Sequence, residues 1–201
     1  MPLSFFFPPC YNSLNQRKAG EHMAKGMKTI AWLSTLTAIF CALLHRSTEN
    51  HIFLPLAITF GTTAYHFLMR LFIGLTLQRM LNNHVNYNAK WFRVSPAEQK
   101  LYKKLRVKKW KGKLPTYAPG SFDPKRHSWD EIAQASCQAE LVHELIIPFS
   151  FLPLLAAIPF GALPVFVITS LLSALFDAMF VIIQRYNRPR ILKLINHQNK
   201  T

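Results

Sequence analysis

The sequence predicts an all-α membrane protein with about four transmembrane helices and a basic cytosolic loop. Half of its 201 residues are hydrophobic, and its formal net charge is +15. The apolar residues form long runs, and most Lys and Arg residues lie between or beyond those runs. This combination fits a basic membrane protein better than a soluble nucleic-acid-binding protein. Cys10, Cys41 and Cys137 have no CxxC spacing, so they indicate neither a zinc site nor a disulfide framework.

The first half of the chain is predicted to hold a tail and two membrane helices. Residues 1–27 are expected to be a mobile N-terminal tail, with Met23 and Met27 as alternative starts. Residues 28–85 contain two apolar runs, at about 29–44 and 52–77, that suit membrane helices.

Two of the predicted spans contain polar residues. His66 and Arg70 lie four residues apart in the second span, hence on one helix face, and Asp177 lies in the fourth. A charge within a span is a functional candidate. Alternatively, the long Arg70 side chain snorkels to the headgroups. Arg70 and Asp177 are predicted to pair, because each lies eight or nine residues before the Arg79 or Arg185 that closes its span.

Residues 86–130 are predicted to be a basic cytosolic loop. They contain twelve Lys and Arg residues against three acidic ones, interleaved with aromatic residues such as Trp91 and Trp110. Nucleic-acid surfaces have a similar composition. Because membrane spans flank this loop, an anionic lipid surface is the better partner, and no nucleic acid is expected.

Residues 131–190 are predicted to form an amphipathic helix and a second membrane hairpin. Ser128 and Glu131 make a capping box at the start of this helix. The third span, at about 145–163, should be kinked by its prolines, and residues 161–164 form a tight turn into the fourth.

The fourth apolar run, 164–183, ends in the block QRYNRPR at 184–190. Pro189 should stop or bend the helix at Arg188. The arginines can serve as a membrane anchor. Alternatively, their planar donor forks bind phosphate or carboxylate. Residues 191–201 are expected to be a C-terminal tail.

The distribution of Lys and Arg predicts the orientation. The tails and the 86–130 loop hold nearly all of them, whereas the short connections hold only Arg46. The positive-inside rule therefore predicts a multi-pass protein of the inner (cytoplasmic) membrane, with both termini in the cytosol.

Glu140 and His143 are a candidate catalytic pair. They are three residues apart on one helix face, and the hairpin should bring them beside the end of the fourth span. A carboxylate can orient an imidazole whose other nitrogen acts as a general base. The alternative is a pair of solvated residues. Iron ligation is rejected, because it requires two ExxH motifs and further glutamates.

Three blocks resemble the bacterial glycosyl-4,4'-diaponeurosporenoate acyltransferase family of carotenoid pathways. They are VKKWKGKLP at 107–115, AELVH at 139–143 and QRYNRPRI at 184–191. The resemblance covers about residues 86–195. This chain has Glu144 where many members have tryptophan.

The resemblance implies transfer of a fatty acyl group to a sugar hydroxyl of a glycosylated carotenoid or related glycolipid. No bound cofactor is expected, and acyl-CoA is the expected cosubstrate. On this interpretation His143 is the base and Glu140 its partner. The expected substrate-binding residues are Gln184, Arg185, Asn187, Arg188, Arg190, Lys109, Trp110 and Lys113. Membrane lipids and a glycosylated lipid acceptor are the expected partners. The alternative is a non-enzymatic scaffold or lipid-binding subunit of a pigment or envelope assembly.

Overall fold

The computed structural model describes residues 13–114 and 119–200, and these residues form helices and connections without a strand. Within them, seven α-helices follow in chain order: α1 (Ser13–Thr48), α2 (Phe53–Leu81), α3 (Pro96–Lys104), α4 (Val107–Trp110), α5 (Trp129–Phe149), α6 (Ala157–Phe160) and α7 (Leu163–Gln198). Four helical segments are long and apolar enough to cross a membrane: His22–Thr48, Phe53–Leu81, Trp129–Phe160 and Leu163–Gln198. The predicted all-α class with four membrane helices is confirmed.

The first helix is longer than the sequence predicts. Helix α1 begins at Ser13, so residues 13–27 of the predicted tail are helical, whereas residues 1–12 lie outside the described residues. Ten of residues 13–27 are Leu, Gln, Arg, Lys, Ala, Glu or Met, which have high helix propensity. This propensity lets the helix extend beyond the apolar run on which the prediction rested.

The predicted capping box begins α5. The backbone N–H of Glu131 donates to Ser128 Oγ (3.2 Å), and the backbone N–H of Ser128 donates to Glu131 Oε2 (2.8 Å). Pro148 lies in the last turn of α5, and a 3₁₀ segment, Leu152–Ala156, follows it. The third span is therefore interrupted near its prolines, as predicted. Gly161 (φ +66°) makes the turn into α7, in a backbone region that favours glycine.

Helix α7 does not stop at Pro189. It continues to Gln198 with Pro189 inside it, so of the two predicted outcomes at Arg188, a stop or a bend, the stop is wrong. Beyond the proline, Ile191 and Ile195 are buried against Ile132 and Ala133 of α5. Burying each isoleucine contributes roughly 1.5–3 kcal/mol, which together offsets the roughly 3 kcal/mol cost of an interior proline.

The described chain contains two compact units. The first, here called the loop unit, includes the described residues of Leu77–His143 and Met179–Thr201. The second, here called the span unit, comprises Lys25–Thr76 and Glu144–Ala178.

Candidate functional site

Helix α5 and the C-terminal part of α7 pack antiparallel within the loop unit. Ser136 Oγ donates a hydrogen bond to Gln184 Oε1 (2.9 Å). Further towards the C-terminal end of α5, the His143 ring stacks on the Phe180 ring of α7, with ring centroids 4.5 Å apart and an interplanar angle of 8°. The predicted neighbourhood of Glu140–His143 and the QRYNRPR block is therefore present, because the two helices run past each other in opposite directions.

Glu140 lies at the centre of a buried ion cluster. Its carboxylate is 0% exposed, with Oε1 2.8 Å from Arg185 Nη1 and Oε2 2.6 Å from Arg188 Nη2. Arg185 Nε donates to a second carboxylate, Glu98 Oε1, at 2.8 Å. Two carboxylates and two guanidiniums thus alternate in one network, and their formal charges cancel.

Arg188 is almost completely enclosed. The residue is 1% exposed, its Nη1 donates to the Phe92 carbonyl oxygen (3.2 Å), and its guanidinium carbon lies 4.9 Å from the centroid of the Phe92 ring. A bulky donor such as acyl-CoA cannot reach a side chain buried to this degree. Arg188 therefore fastens the segment around Phe92 to α7.

Glu98 joins the ion cluster from α3. Its Oε2 accepts the backbone N–H of Ser95 (2.8 Å) in a capping box, and its Oε1 also accepts from the Tyr102 hydroxyl (3.1 Å). Burial opposes ionisation of this carboxyl, but the Arg185 hydrogen bond and the Ser95 N–H outweigh it and lower its pKa to about 2. Glu98 is therefore ionised throughout the physiological range.

The predicted role of Glu140 differs from its observed contacts. The sequence predicts that Glu140 orients His143, whereas both of its carboxylate oxygens lie on guanidiniums. In the structure, the parallel ring of Phe180 faces the His143 imidazole. Charge-assisted hydrogen bonds between a carboxylate and guanidiniums are strong, so two arginines of α7 take both oxygens of this buried carboxylate.

A second cluster contains three cationic side chains of the loop unit. Lys111 Nζ donates to Asn187 Oδ1 (2.7 Å) and lies 5.3 Å from the centroid of the Tyr186 ring. Arg190 Nη2 donates to the Tyr186 hydroxyl (2.8 Å), and its guanidinium carbon lies 4.5 Å from the same ring centroid. Burial, followed by the charges of Arg190 and Lys108, lowers the pKa of Lys111 to about 8. The cluster therefore concentrates positive charge at a partly buried place.

Two side-chain amides of α7 have fixed orientations. Gln184 accepts from Ser136 with its oxygen, and Asn187 accepts from Lys111 with its oxygen. Each NH₂ group is consequently the part of the amide that remains as a donor. The two amides are three positions apart in α7, so they lie on neighbouring positions of one helix face.

The other loop residues that were predicted to bind substrate lie at the surface of the loop unit. Lys109 and Lys113 are exposed, and the Trp110 indole N–H donates to the carbonyl oxygen of Leu105 (3.1 Å). Within the same block, Lys111 contacts α7 through its hydrogen bond to Asn187.

The span unit contains the predicted pair of intramembrane charges. Arg70 Nη2 lies 2.5 Å from Asp177 Oδ2, and Arg70 Nε donates to the same oxygen at 3.1 Å. The predicted contact is therefore present. Arg70 Nη1 also donates to the backbone oxygen of His66 (3.2 Å), whose ring is buried.

The predicted site residues did not include Glu98, Phe92, Phe180 and Tyr186, nor Lys108 and Lys111 of the second cluster. The capping box at Ser95 was the one available signal for Glu98, because it marks the start of a helix inside a loop. The aromatic residues had no comparable signal, since their ring contacts depend on tertiary packing.

The loop unit also contains a cleft of about 230 Å³, separate from the two clusters. The cleft is lined by Asn82, Asn83, His84, Ser121, His127, Glu131, Gln134 and Ala135. Its lining is polar and includes the start of α5. Neither ion cluster contributes a residue to this lining.

Fold and site together define a helical membrane protein with a polar centre on the α5–α7 pair of its loop unit. The family model described as glycosyl-4,4'-diaponeurosporenoate acyltransferase matches residues 88–197, which include both clusters of that unit. The chain belongs to this family and is therefore an acyltransferase. No match was found among the curated proteins or among the solved structures.

Proposed function

We propose that this acyltransferase moves a fatty acyl group from acyl-CoA to a sugar hydroxyl of a glycosylated carotenoid or a related glycolipid. The observation that carries the proposal is the convergence of Lys108, Lys111 and Arg190 beside two oriented amides. These three cations and two amides belong to the basic loop or the QRYNRPR block, and all five residues lie within the family match.

The cation cluster suits the phosphates of an acyl-CoA donor. Arg190 offers a planar donor fork, and Lys111 offers a compact charge held by Asn187. Lys109 and Lys113 flank Lys111 and are exposed, so they attract an approaching anion over a longer range. Trp110 offers an aromatic face beside them. Together these groups would hold the donor at the loop unit.

The two amides suit the donor's carbonyl group. The NH₂ groups of Gln184 and Asn187 can donate hydrogen bonds to the thioester oxygen as negative charge develops on it. Donors preorganised for such an oxygen contribute several kcal/mol of transition-state stabilisation. Their orientation is set by Ser136 and Lys111, so no rearrangement is needed at the moment of reaction.

His143 is the proposed general base. One imidazole nitrogen takes the proton of the sugar hydroxyl while the hydroxyl oxygen attacks the thioester carbon. The carbon–sulfur bond then breaks, the new ester remains on the sugar, and the thiolate of CoA leaves and accepts a proton. A general base typically contributes about 10² to 10⁴ in rate. The stack on Phe180 would hold the ring in position.

Glu140, Arg185 and Arg188 act as positioning residues in this proposal. The two positive charges of these arginines are balanced by the negative charges of Glu140 and Glu98. The network therefore adds little net attraction for the anionic donor. They hold α7 against α5 and against the segment around Phe92, and thereby fix the amides of the QRYNRPR block.

The proposal includes the cytosolic side of the inner membrane as the place of reaction. Four apolar helices support a membrane protein, and the excess of Lys and Arg in the 86–130 loop supports a cytosolic loop and cytosolic termini. Acyl-CoA is a cytosolic donor, and a glycolipid acceptor would approach from the bilayer.

Mass spectrometry of lipids from cells with and without the chain tests this function. A carotenoid glycoside or glycolipid should gain an acyl ester when the wild-type chain is present, and a His143→Ala chain of equal abundance should form the same ester far more slowly. If the lipids with the wild-type chain match those without it, the alternative of a non-enzymatic scaffold or lipid-binding subunit replaces the enzyme.

A further inference from the structure

Helix α3 exposes an apolar strip beside the face that it packs into the loop unit. Ala97, Leu101 and Leu105 are spaced by four residues, so they follow one line along the helix, and Leu105 caps it with a helical backbone. All three residues are exposed, Leu101 to 49% and Leu105 to 44%. The packed face carries Tyr102, which is buried, and Glu98, which binds Arg185. The strip is therefore a surface of the loop unit and not a part of its interior.

Cationic side chains border this strip. Lys100 follows Ala97 by three residues and Lys104 follows Leu101 by three, so each lysine is a neighbour of the strip on the helix surface. Lys103 and Arg106 add positive charge nearby, and all four cations are exposed. The one acidic residue in the sequence from 96 to 110 is Glu98, whose charge is balanced by Arg185. The exposed surface of α3 consequently combines leucines with uncompensated positive charge.

A bilayer with anionic lipids matches both properties of this surface. Leucines of an interfacial helix enter the boundary between headgroups and acyl chains, while flanking lysines stay at the negatively charged headgroups. The chain also keeps a bilayer within reach of α3, because α3 lies between the candidate membrane spans Phe53–Leu81 and Trp129–Phe160. Such tethering gives the lipid surface a high effective concentration, which a separate protein partner lacks.

We propose that α3 is an interfacial helix whose Ala97–Leu101–Leu105 strip docks on the anionic surface of the bilayer. Docking removes the two leucines from water and brings Lys100 and Lys104 to the lipid phosphates. The contact of Glu98 with Arg185 lies on the packed face, so it is compatible with docking. The inference is independent of the acyl-transfer proposal, because it uses none of the residues assigned to the donor or to the base.

Quenching of a fluorophore by nitroxide-labelled lipid tests the inference. Ala97→Cys and Gln99→Cys are made separately in the full chain, labelled with an NBD maleimide and placed in nanodiscs of phosphatidylglycerol or of phosphatidylcholine. Both positions are exposed on α3, but they are about 200° apart around the helix, so Gln99→Cys is the matched control. Cys41 and Cys137 are buried, and Cys10→Ser removes the remaining thiol.

The label of Ala97→Cys should be quenched in phosphatidylglycerol, and the label of Gln99→Cys should be quenched far less. In phosphatidylcholine the quenching at Ala97→Cys should fall, because each lysine at an anionic surface favours the docked state about fivefold. Equal quenching of the two labels, or equal quenching of Ala97→Cys in the two lipids, would overturn the inference.

Matched variants separate the strip from the overall charge. Lys100→Gln with Lys104→Gln should lower the ratio of docked to undocked label about 25-fold in phosphatidylglycerol. Lys193→Gln with Lys200→Gln removes the same charge from exposed positions of the C-terminal segment and should leave the ratio unchanged. An equal loss with both pairs would contradict the assigned surface.

The apolar part of the strip has its own pair of variants. Leu101→Ser with Leu105→Ser should reduce quenching at Ala97→Cys, whereas Leu101→Met with Leu105→Met should retain it, since methionine keeps the apolar surface. Both leucines are exposed, so neither change removes a buried contact of the loop unit. Quenching that survives the serine variants undiminished would contradict docking through this strip.

Discussion

Replacing Glu140 by glutamine removes one negative charge from the buried centre of the α5–α7 pair. The wild-type carboxylate uses one oxygen for Arg185 and the other for Arg188. Glutamine keeps the shape, but it has only one acceptor oxygen, and its NH₂ group faces a guanidinium. Arg185 retains Glu98, whereas Arg188 is left as a buried cation without a carboxylate in this network.

The expected loss is large because the site is closed to solvent. Removing one partner of a buried ion pair typically costs about 3–5 kcal/mol of unfolding free energy. Glu98→Gln is the matched control. The Glu98 side chain is 29% exposed, Arg185 keeps Glu140, and the one amide oxygen of glutamine can keep the capping box, so its expected cost is smaller than that of Glu140→Gln.

Reversible chemical unfolding in mild detergent, followed by tryptophan fluorescence, measures both variants. The double variant Glu140→Leu with Arg188→Met should lose less than Glu140→Gln, because it removes the buried charges together. The reasoning is refuted if Glu140→Gln costs no more than Glu98→Gln, or if the double variant is as unstable as the sum of its single changes.

Three other predictions concern the ion pair, the donor site and the topology. Asp177→Asn alone should destabilise more than Arg70→Gln with Asp177→Asn, with a coupling of about 0.5–3 kcal/mol in a double-mutant cycle; additive losses would contradict the contact. Lys111 is charged below its pKa of about 8, so the KM for acyl-CoA should rise about tenfold by pH 9 in steady-state kinetics. Lys111→Arg should abolish that rise, and a rise that persists would remove Lys111 from the donor site. A cysteine at Gly112 should escape external labelling while one at Asn50 is labelled, and external labelling of Gly112 would reverse the proposed topology.

Much of the fold could be predicted because membrane helices leave a strong compositional signal. Long apolar runs identified the four spans, and the capping box at Ser128 identified the start of α5. The contact between Arg70 and Asp177 followed from equal depth, since a buried charge needs an opposite charge at its own level.

The partners within the loop unit could not be predicted in the same way. The 86–130 segment has high positive charge, which favours a solvated or lipid-facing surface and obscures Glu98 as an internal partner of Arg185. Glu140 and His143 share a helix face, but spacing alone does not decide which groups of a packed helix compete for the carboxylate. The continuation of α7 past Pro189 depends on burial of Ile191, which is a property of the tertiary structure.

Acyl transfer by the purified chain is the most direct test of the proposed function. The protein in nanodiscs is given radiolabelled acyl-CoA and a glycosylated carotenoid, and ester formation is followed by chromatography. The wild-type chain should form the ester, and His143→Ala should form it about 10² to 10⁴ times more slowly while remaining folded in the membrane. Ester formation by His143→Ala at the wild-type rate would contradict the base assignment, and no ester with the wild-type chain would contradict the proposed reaction.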